Sequence, residues 1–436
     1  MENNDINKEI ETIVKFDFKK LSRTDKDQYE VEKKIKEIFD QIHFSTKHSE
    51  EYESELNYLR EKHYMFARKQ IQKLSSHYMP HDTGYPWIPY FISNILEMTK
   101  EDFELSLNTK LQIVDLFREL QHPEGGFCGA PKTLPHLIST YAAVMALMNL
   151  GIKEAYDLID IPKIRNFLIK MKNNNFITDS KPNYTDKKGI YLITREKESE
   201  CSSCSMSYPG SFTSHYNGES DLRATYCAMT VASILGIDDE EITKGVVENI
   251  KKCQTFEGGF APEPFCEAHG GYSYCAIATL VLMNKLHEID VNNFVRWIVN
   301  RQMTVEGGFN GRTNKLVDSC YSFWQGSVFS LLYMGNQTLS YEKELLYDQL
   351  SLQAYILGCC QNKKGGLFDK PGKKPDLFHT NYATAGLICS QDCMIPDCKV
   401  CLSYDKSNEF SQFNPIFCIP EDKVIKARQY YHSFPK

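Results

Sequence analysis

One short pattern recurs along the chain: a glutamine, then within a few residues two glycines and an apolar residue. Clear copies begin at Gln121, Gln254, Gln302 and Gln361, and a weaker copy is centred on Gly210. The first glycines of the copies at 210, 258, 307 and 365 are 48, 49 and 58 residues apart. The step from 125 to 210 is 85 residues and returns to about 50 without an insertion of roughly 35. Such a period indicates a fold built from repeated units.

The stretch after each glycine pair has a helical period and is apolar on nearly all sides. In one copy Tyr141, Val144, Met145 and Met148 stand at helical offsets, closed by Gly151, and a helix without a polar face is a buried helix. An amphipathic helix then leads to the next glutamine. The sequence therefore predicts an all-α fold, an α/α barrel with inner and outer helical rings in a single domain. Kelch propellers share the period, but this sequence does not show their short alternating strands.

The glycine pairs are expected to end helices in the left-handed backbone conformation. They would also place every following loop, and every inner-helix N-terminus, at one mouth of the barrel. His136, His269 and Asp318 each lie 11 residues after the first glycine of their pair. Arg223 lies 13 residues after Gly210 and His379 lies 14 after Gly365, so ionisable side chains converge on that mouth.

Composition limits the partners. The 436 residues carry a net charge of -7, which argues against nucleic acid or an anionic membrane as the main partner. The polar, acidic start lacks the features of a signal peptide, and the longest apolar runs fall short of the ~20 residues that a spanning helix needs. We expect a cytoplasmic protein without a transmembrane segment. The fifteen cysteines then indicate free thiols and a metal site, not disulfides.

Two kinds of site are predicted at the mouth. Arg223, His269, Arg312 and Lys315 fall at inner-helix N-termini, where the helix dipole also favours anions, so a diphosphate site is expected. Asp318, Cys320 and His379 offer one oxygen, one sulfur and one nitrogen ligand, which suits Zn²⁺ and leaves a coordination position open. Competing cysteine candidates are the pair Cys201 and Cys204 and the cluster Cys389, Cys393, Cys398 and Cys401.

Several longer motifs of the sequence resemble those of a known protein family. They include Arg60–His63, Tyr85–Trp87, Asp221–Cys227, Glu267–Tyr272, Gly311–Trp324 and Asp369–Gly372. From about Tyr29 to Ala427 the chain resembles the protein farnesyltransferase β subunits of the protein prenyltransferase family. The resemblance implies six helix pairs clasped by a separate α subunit. It divides the chain into a helical extension at 1–60 and the barrel at 61–430, with a mobile insertion at about 175–208.

The resemblance also implies roles for single residues. Those matching the zinc ligands are Asp318, Cys320 and His379. Those matching the diphosphate ligands are His269, Arg312, Lys315 and Tyr321. Those matching the wall of the isoprenoid cavity are Trp87, Arg223, Tyr226, Gly271, Tyr272, Cys275, Trp324 and Tyr382. The zinc ligands, Tyr321, Lys315 and Asp369 would be catalytic, Asp369 by holding Mg²⁺ on the leaving diphosphate.

The implied reaction is zinc-dependent transfer of a farnesyl group from farnesyl diphosphate to the cysteine of a C-terminal Cys-a-a-X motif in proteins. The family pattern changes at two positions beside the peptide, where Phe91 replaces a tryptophan and Phe378 a tyrosine. Peptide-binding residues would be Trp87, Phe91 and Phe378.

Three alternatives stay open. A type I geranylgeranyltransferase β subunit takes a twenty-carbon donor, but Trp87 and Tyr382 would close the far end of the cavity, and that enzyme has a lysine where Asp369 stands. A helical-repeat scaffold without catalysis would need neither zinc ligands nor a diphosphate site. An α/α-barrel glycoside hydrolase needs a carboxylate pair, for which Asp318 and Asp369 are the candidates at the mouth.

Overall fold

The computed structural model describes residues 21–46, 56–76, 78, 83–100, 104–173, 208–335, 346–391, 400–402 and 406–433. Nearly all of the predicted insertion at 175–208 lies outside the described residues, as do Cys201, Cys204, Cys393 and Cys398. The domain boundary at residue 60 stays a prediction; a helix begins there, at Arg60.

In the described residues, twelve helices, two of them built from two consecutive pieces, alternate between two rings. Inner helices 1 to 6 are Trp87–Thr99, Leu137–Leu150, Leu222–Leu235, Gly270–Leu282, the consecutive pieces Tyr321–Trp324 and Gly326–Gly335, and Leu377–Gln391. Outer helices 1 to 6 are Arg60–Gln72, Leu107–Leu120, Ile161–Met171, Val246–Cys253, Val291–Val299, and Gln349–Ala354 with the π-helical turn Tyr355–Cys359. Each inner helix packs on the next, and the sixth packs on the first. The predicted α/α barrel of six helix pairs is confirmed.

Burial separates the rings as the sequence predicted. Of inner helix 2 only Ile138 is not buried, whereas outer helix 5 buries one face, with Phe294, Trp297 and Ile298 turned inward. Outside the rings lie the helices Arg23–Thr46, Lys153–Asp157, Glu240–Thr243 and Glu421–Tyr431, the 3₁₀ turns Leu286–Glu288 and Lys406–Asn408, and the antiparallel strands Phe413–Asn414 and Ile419–Pro420.

The glycine pairs do not end helices, so that part of the prediction is wrong. Outer helix 4 already ends at its cap Gln254, ahead of Gly258. Gly258 has a positive φ of 107°, as predicted. It also lets the turn approach the next outer helix closely. A Cβ there would overlap the carbonyl oxygen of Asn293 on outer helix 5, and the neighbouring Gly259 lies against the ring of Trp297. Each turn therefore fits closely against the following outer helix, which is what spaces the repeats.

A C-terminal hairpin, residues 413–420, lies across the inner ring. Four inner-helix tyrosines donate hydrogen bonds to its consecutive backbone carbonyls. In order, Tyr274, Tyr226, Tyr141 and Tyr90 bond Pro415, Ile416, Phe417 and Cys418 at 2.7, 2.8, 3.0 and 2.9 Å. Buried carbonyls require partners, so these bonds let an irregular segment lie inside the barrel.

Candidate metal and diphosphate site

The predicted metal ligands come from the starts of two neighbouring inner helices. Asp318 lies in the loop just before inner helix 5, and its Oδ1 accepts the backbone N–H of Cys320 at 2.9 Å. His379 lies in the first turn of inner helix 6. The loop before that helix is tied to inner helix 5, because the Ser319 N–H donates to the Asp369 carbonyl at 2.8 Å. The starts of the two helices and this backbone hydrogen bond together hold the three side chains in place.

The three ligand atoms form one cluster. A carboxylate oxygen of Asp318, the Cys320 sulfur and a ring nitrogen of His379 lie within 4.8 Å of one another. His379 Nε2 is 3.4 Å from Asp318 Oδ1, while its Nδ1 is 2.7 Å from Asp376 Oδ2. A carboxylate on the far nitrogen of a ligating histidine is a common feature of zinc sites, because it orients the ring. Asp376 was missed in the sequence analysis.

Electrostatics show that the cluster favours a cation. Burial alone would lower the pKa of His379, but hydrogen bonds to Asp318 and Asp376 outweigh it and raise that pKa to about 10. Burial, with the Asp318 charge second, raises the pKa of the Cys320 thiol well above its ordinary value. A divalent cation would reverse the second effect, since a coordinating thiol loses its proton. One sulfur, one nitrogen and one oxygen donor fit Zn²⁺ and not Mg²⁺.

An aromatic cavity of about 520 Å³ opens beside this cluster. Its lining includes His379, Asp376 and several aromatic rings. The predicted cavity and peptide residues among its lining are Trp87, Phe91, Arg223, Tyr226, Cys275, Trp324, Phe378 and Tyr382. Phe91 and Phe378 meet edge-on with centroids 6.0 Å apart.

A second cavity, of about 550 Å³, adjoins the first. The two share Arg223, Cys275 and Trp324 in their walls. The other predicted residues that line the second cavity are His269, Gly271, Tyr272 and Arg312. The structure therefore places the predicted isoprenoid residues and two of the predicted diphosphate ligands, His269 and Arg312, in the walls of two adjoining cavities.

His269 and Tyr321 form a hydrogen bond beside the second cavity, and the group that donates the hydrogen can be assigned. His269 caps inner helix 4 by accepting the Gly271 N–H on Nδ1 at 3.1 Å. Burial, then the nearby Arg312 charge, lowers the pKa of His269, so the neutral ring carries its hydrogen on Nε2. That hydrogen points to the Tyr321 hydroxyl, 3.0 Å away. Tyr321 then keeps its own hydrogen free to donate, and burial raises its pKa well above the ordinary value.

Lys315 and Asp369 have other neighbours in this structure. Lys315 lines a separate cavity of about 590 Å³ together with Arg301. Asp369 forms an ion pair with Lys370. Burial, then the Asp318 charge, raises the pKa of Asp369. Their roles toward diphosphate and Mg²⁺ stay predictions.

Asp376, which the sequence prediction did not include, occupies a fixed position in the repeat. In five repeats the residue 11 positions after the first glycine of the turn is a histidine or an aspartate: His136, Asp221, His269, Asp318 and Asp376. Each accepts a backbone N–H two or three residues further on, at the start of an inner helix. In two repeats the sequence prediction named Arg223 and His379 instead, which lie in the first turn of their inner helices. The fixed spacing was the signal that could have identified Asp376.

The competing cysteine cluster is described only in part. Cys389 is buried in inner helix 6, and Cys401 accepts a weak hydrogen bond from Gln391 Nε2 at 3.6 Å. Among the described residues, the group of metal-ligating side chains that lie close together is Asp318, Cys320 and His379. In the same part of the chain, the helices are too short or too polar to cross a membrane.

Comparisons with known proteins identify the family of this chain. The model of the Prenyltransferase alpha-alpha toroid domain matches residues 58–419. The Arabidopsis thaliana protein farnesyltransferase subunit beta is 32% identical over 435 residues, covering 86% of this chain and 82% of the relative. The Arabidopsis thaliana geranylgeranyl transferase type-1 subunit beta is 37% identical over 200 residues, covering 42% and 49%.

A solved structure is also similar. It is the protein geranylgeranyltransferase-I of Candida albicans complexed with GGPP, with a TM-score of 0.66 and 24% identity over 86% of this chain and 99% of the other. At that identity the likeness supports the fold alone. The sequence matches decide the family: this chain belongs to the prenyltransferase α-α toroid family of enzymes.

Proposed function

We propose that this chain is the catalytic β subunit of a protein farnesyltransferase. The observation that carries the proposal is the Asp318–Cys320–His379 cluster at the side of a deep aromatic cavity. Such a cavity suits an isoprenoid, and a thiol brought to the cluster would meet the end of that isoprenoid. The farnesyl relatives that match over most of the chain support this substrate class.

The reaction joins a cysteine sulfur to the first carbon of the isoprenoid and expels diphosphate. A free thiol, with a pKa of about 8.5, is mostly protonated at neutral pH. Zn²⁺ held by Asp318, Cys320 and His379 would lower the pKa of a substrate thiol that ligates it. Arg312 and the free Tyr321 hydrogen would stabilise the negative charge that grows on the leaving diphosphate.

Asp369 is proposed to hold Mg²⁺ on the leaving diphosphate, since carboxylate and phosphate oxygens suit that ion. In the structure its carboxylate is paired with Lys370, so Mg²⁺ would have to displace an internal cation. We also propose an α subunit as partner, which the naming of the relatives as β subunits supports. Cys-a-a-X proteins as acceptors and the cytoplasm as location are proposed from the sequence alone.

A type I geranylgeranyltransferase β subunit is the second candidate. The type-1 relative supports it, at higher identity over a shorter stretch. The two candidate enzymes differ in the length of the isoprenoid donor. We expect the wall of the cavity to determine which donor fits. Trp87 is half-buried and lies 5.3 Å from Phe91 and 6.0 Å from Tyr141, centroid to centroid, so it narrows the space available to a long donor.

Competition between labelled farnesyl and geranylgeranyl diphosphate tests the choice. With the chain co-expressed with its α subunit, we expect a farnesyl preference that Trp87→Thr shifts toward the longer donor by about tenfold or more. Phe256→Ala, at an exposed aromatic outside the cavity, is the control and should leave the ratio unchanged. A wild-type preference for geranylgeranyl would favour the second candidate. No shift in Trp87→Thr would instead contradict the role of Trp87 in limiting the length of the donor.

A further inference from the structure

The walls of the second cavity carry balanced charge, although the proposed ligand is a polyanion. Arg312 pairs with Glu267. Arg223 pairs with Asp221, whose Oδ2 lies 2.6 Å from Arg223 Nη2. His269 adds no positive charge at neutral pH, because burial and Arg312 lower its pKa. Two arginines are thus neutralised by two carboxylates before any diphosphate arrives.

The two carboxylates differ in how firmly they are held. Asp221 is buried, and its Oδ1 also caps inner helix 3 by accepting the N–H groups of Arg223 and Ala224 at 2.7 and 3.3 Å. Glu267 lines the cavity, and its side chain is 47% exposed. Among the described residues, Arg312 is its one hydrogen-bond partner. Asp221 cannot leave without uncapping a helix, whereas Glu267 can rotate into solvent.

We infer that Glu267 is an exchangeable counter-ion, which holds Arg312 in the empty site and is displaced by the diphosphate of the substrate. This inference rests on the proposed function. Carboxylate and phosphate oxygens accept the same forked hydrogen bonds from a guanidinium group, so the two anions compete for one donor set. Glu267 is then a positioning residue that acts through Arg312 and weakens diphosphate binding.

Two effects determine how much Glu267 weakens the binding of diphosphate. Binding diphosphate requires breaking a half-exposed ion pair, and it leaves a carboxylate beside a ligand of the same sign. Removing the charge of Glu267 removes both costs. We therefore expect Glu267→Gln to bind inorganic diphosphate about threefold to tenfold more tightly, and diphosphate to inhibit transfer correspondingly more strongly.

The test is calorimetric titration of inorganic diphosphate into the full chain co-purified with its α subunit, at about 0.15 M salt without divalent metal. The matched control is Glu288→Gln, because Glu288 and Lys251 form an ion pair of similar exposure on the outer surface. Arg312→Gln and the double variant Glu267→Gln/Arg312→Gln complete a cycle that measures whether Glu267 acts through Arg312.

The expected result is a gain in Glu267→Gln, no change in Glu288→Gln, and loss of the gain when Arg312 is also replaced. Unchanged or weaker diphosphate binding in Glu267→Gln would overturn the inference while leaving the proposed function intact. A gain that persists without Arg312 would overturn it too, since it would mean general repulsion. Absence of diphosphate binding in the wild type would instead count against the proposed function itself.

Discussion

The imidazole of His379 is held from both sides by carboxylates, and this governs its chemistry. Asp376 contacts Nδ1 at 2.7 Å and also accepts the backbone N–H of His379 at 2.8 Å. One carboxylate therefore fixes both the ring and the start of inner helix 6. The opposite nitrogen is left to face Asp318, so Asp376 determines which nitrogen is available to a metal.

Asp376→Asn tests this positioning role. The amide oxygen can still accept the backbone N–H, but the negative charge beside the ring is lost. We expect Zn²⁺ affinity, measured by chelator competition, to fall about 10-fold to 100-fold, with a small change in the free energy of unfolding. Asp348→Asn is the control, because Asp348 caps outer helix 6 by the same bond to Ser351, at 2.9 Å. Equal Zn²⁺ affinity in both variants would contradict the role.

At the scale of elements, the turns between outer and inner helices set the spacing between the repeats. Gly258→Ala should be severe, because it combines a positive φ with an overlap against the Asn293 carbonyl. We expect it to lower the free energy of unfolding by at least about 2 kcal/mol in urea denaturation. Gly84→Ala is the matched control: a Cβ there would only touch the Trp87 ring at 3.6 Å. Similar losses in both variants would mean that the turn geometry is not what matters.

The elements also show how far sequence alone reaches. The repeat, the inner and outer helices and the clustering of Asp318, Cys320 and His379 could be predicted, because the period and the burial pattern are visible in the sequence and the repeat places corresponding residues at one end of the barrel. The C-terminal hairpin could not, since Pro415–Cys418 resembles no repeat. Its carbonyls find partners in tyrosines such as Tyr90, 328 residues away in the chain. The ion pair of Arg312 with Glu267 was missed for the same reason, because it joins two repeats.

At the scale of the whole molecule, the barrel closes where the last turn meets the first outer helix. Gly366 N–H donates to His63 Nδ1 at 2.9 Å, so the neutral ring carries its hydrogen on Nε2. That nitrogen donates to Gln361 Oε1, also at 2.9 Å. His63 is fully buried, and burial lowers its pKa to about 4 despite the bond to Gln361. Protonation would place a hydrogen against the Gly366 N–H and break the closure.

The sign of the pH dependence follows. Because the folded pKa of His63 lies below its ordinary value, the unfolded chain binds the proton more readily. The stabilisation by neutral His63 is complete above about pH 6.5 and is lost as the pH falls from there toward 4, by up to about 3 kcal/mol. In His63→Gln the unfolding free energy should be lower at pH 7.5, and its gap to wild type should narrow below pH 6.

Thermal and urea unfolding at several pH values measure that gap. His287→Gln, at an exposed histidine on the outer surface, should follow the wild-type curve throughout. A constant gap between His63→Gln and wild type from pH 7.5 to 5 would show that the closure does not titrate.

The most direct measurement concerns metal and transfer together. Zn²⁺ content and farnesyl transfer to a Cys-a-a-Met peptide are measured for the chain with its α subunit, as wild type, Cys320→Ala and Cys266→Ala. Cys266 is an exposed cysteine outside the metal cluster, and its variant should keep the metal. We predict one Zn²⁺ per chain and farnesyl transfer in the wild type, and loss of both in Cys320→Ala. Zn²⁺ retained in Cys320→Ala, or a wild type that binds Zn²⁺ without transferring farnesyl, would contradict the assignment of this site.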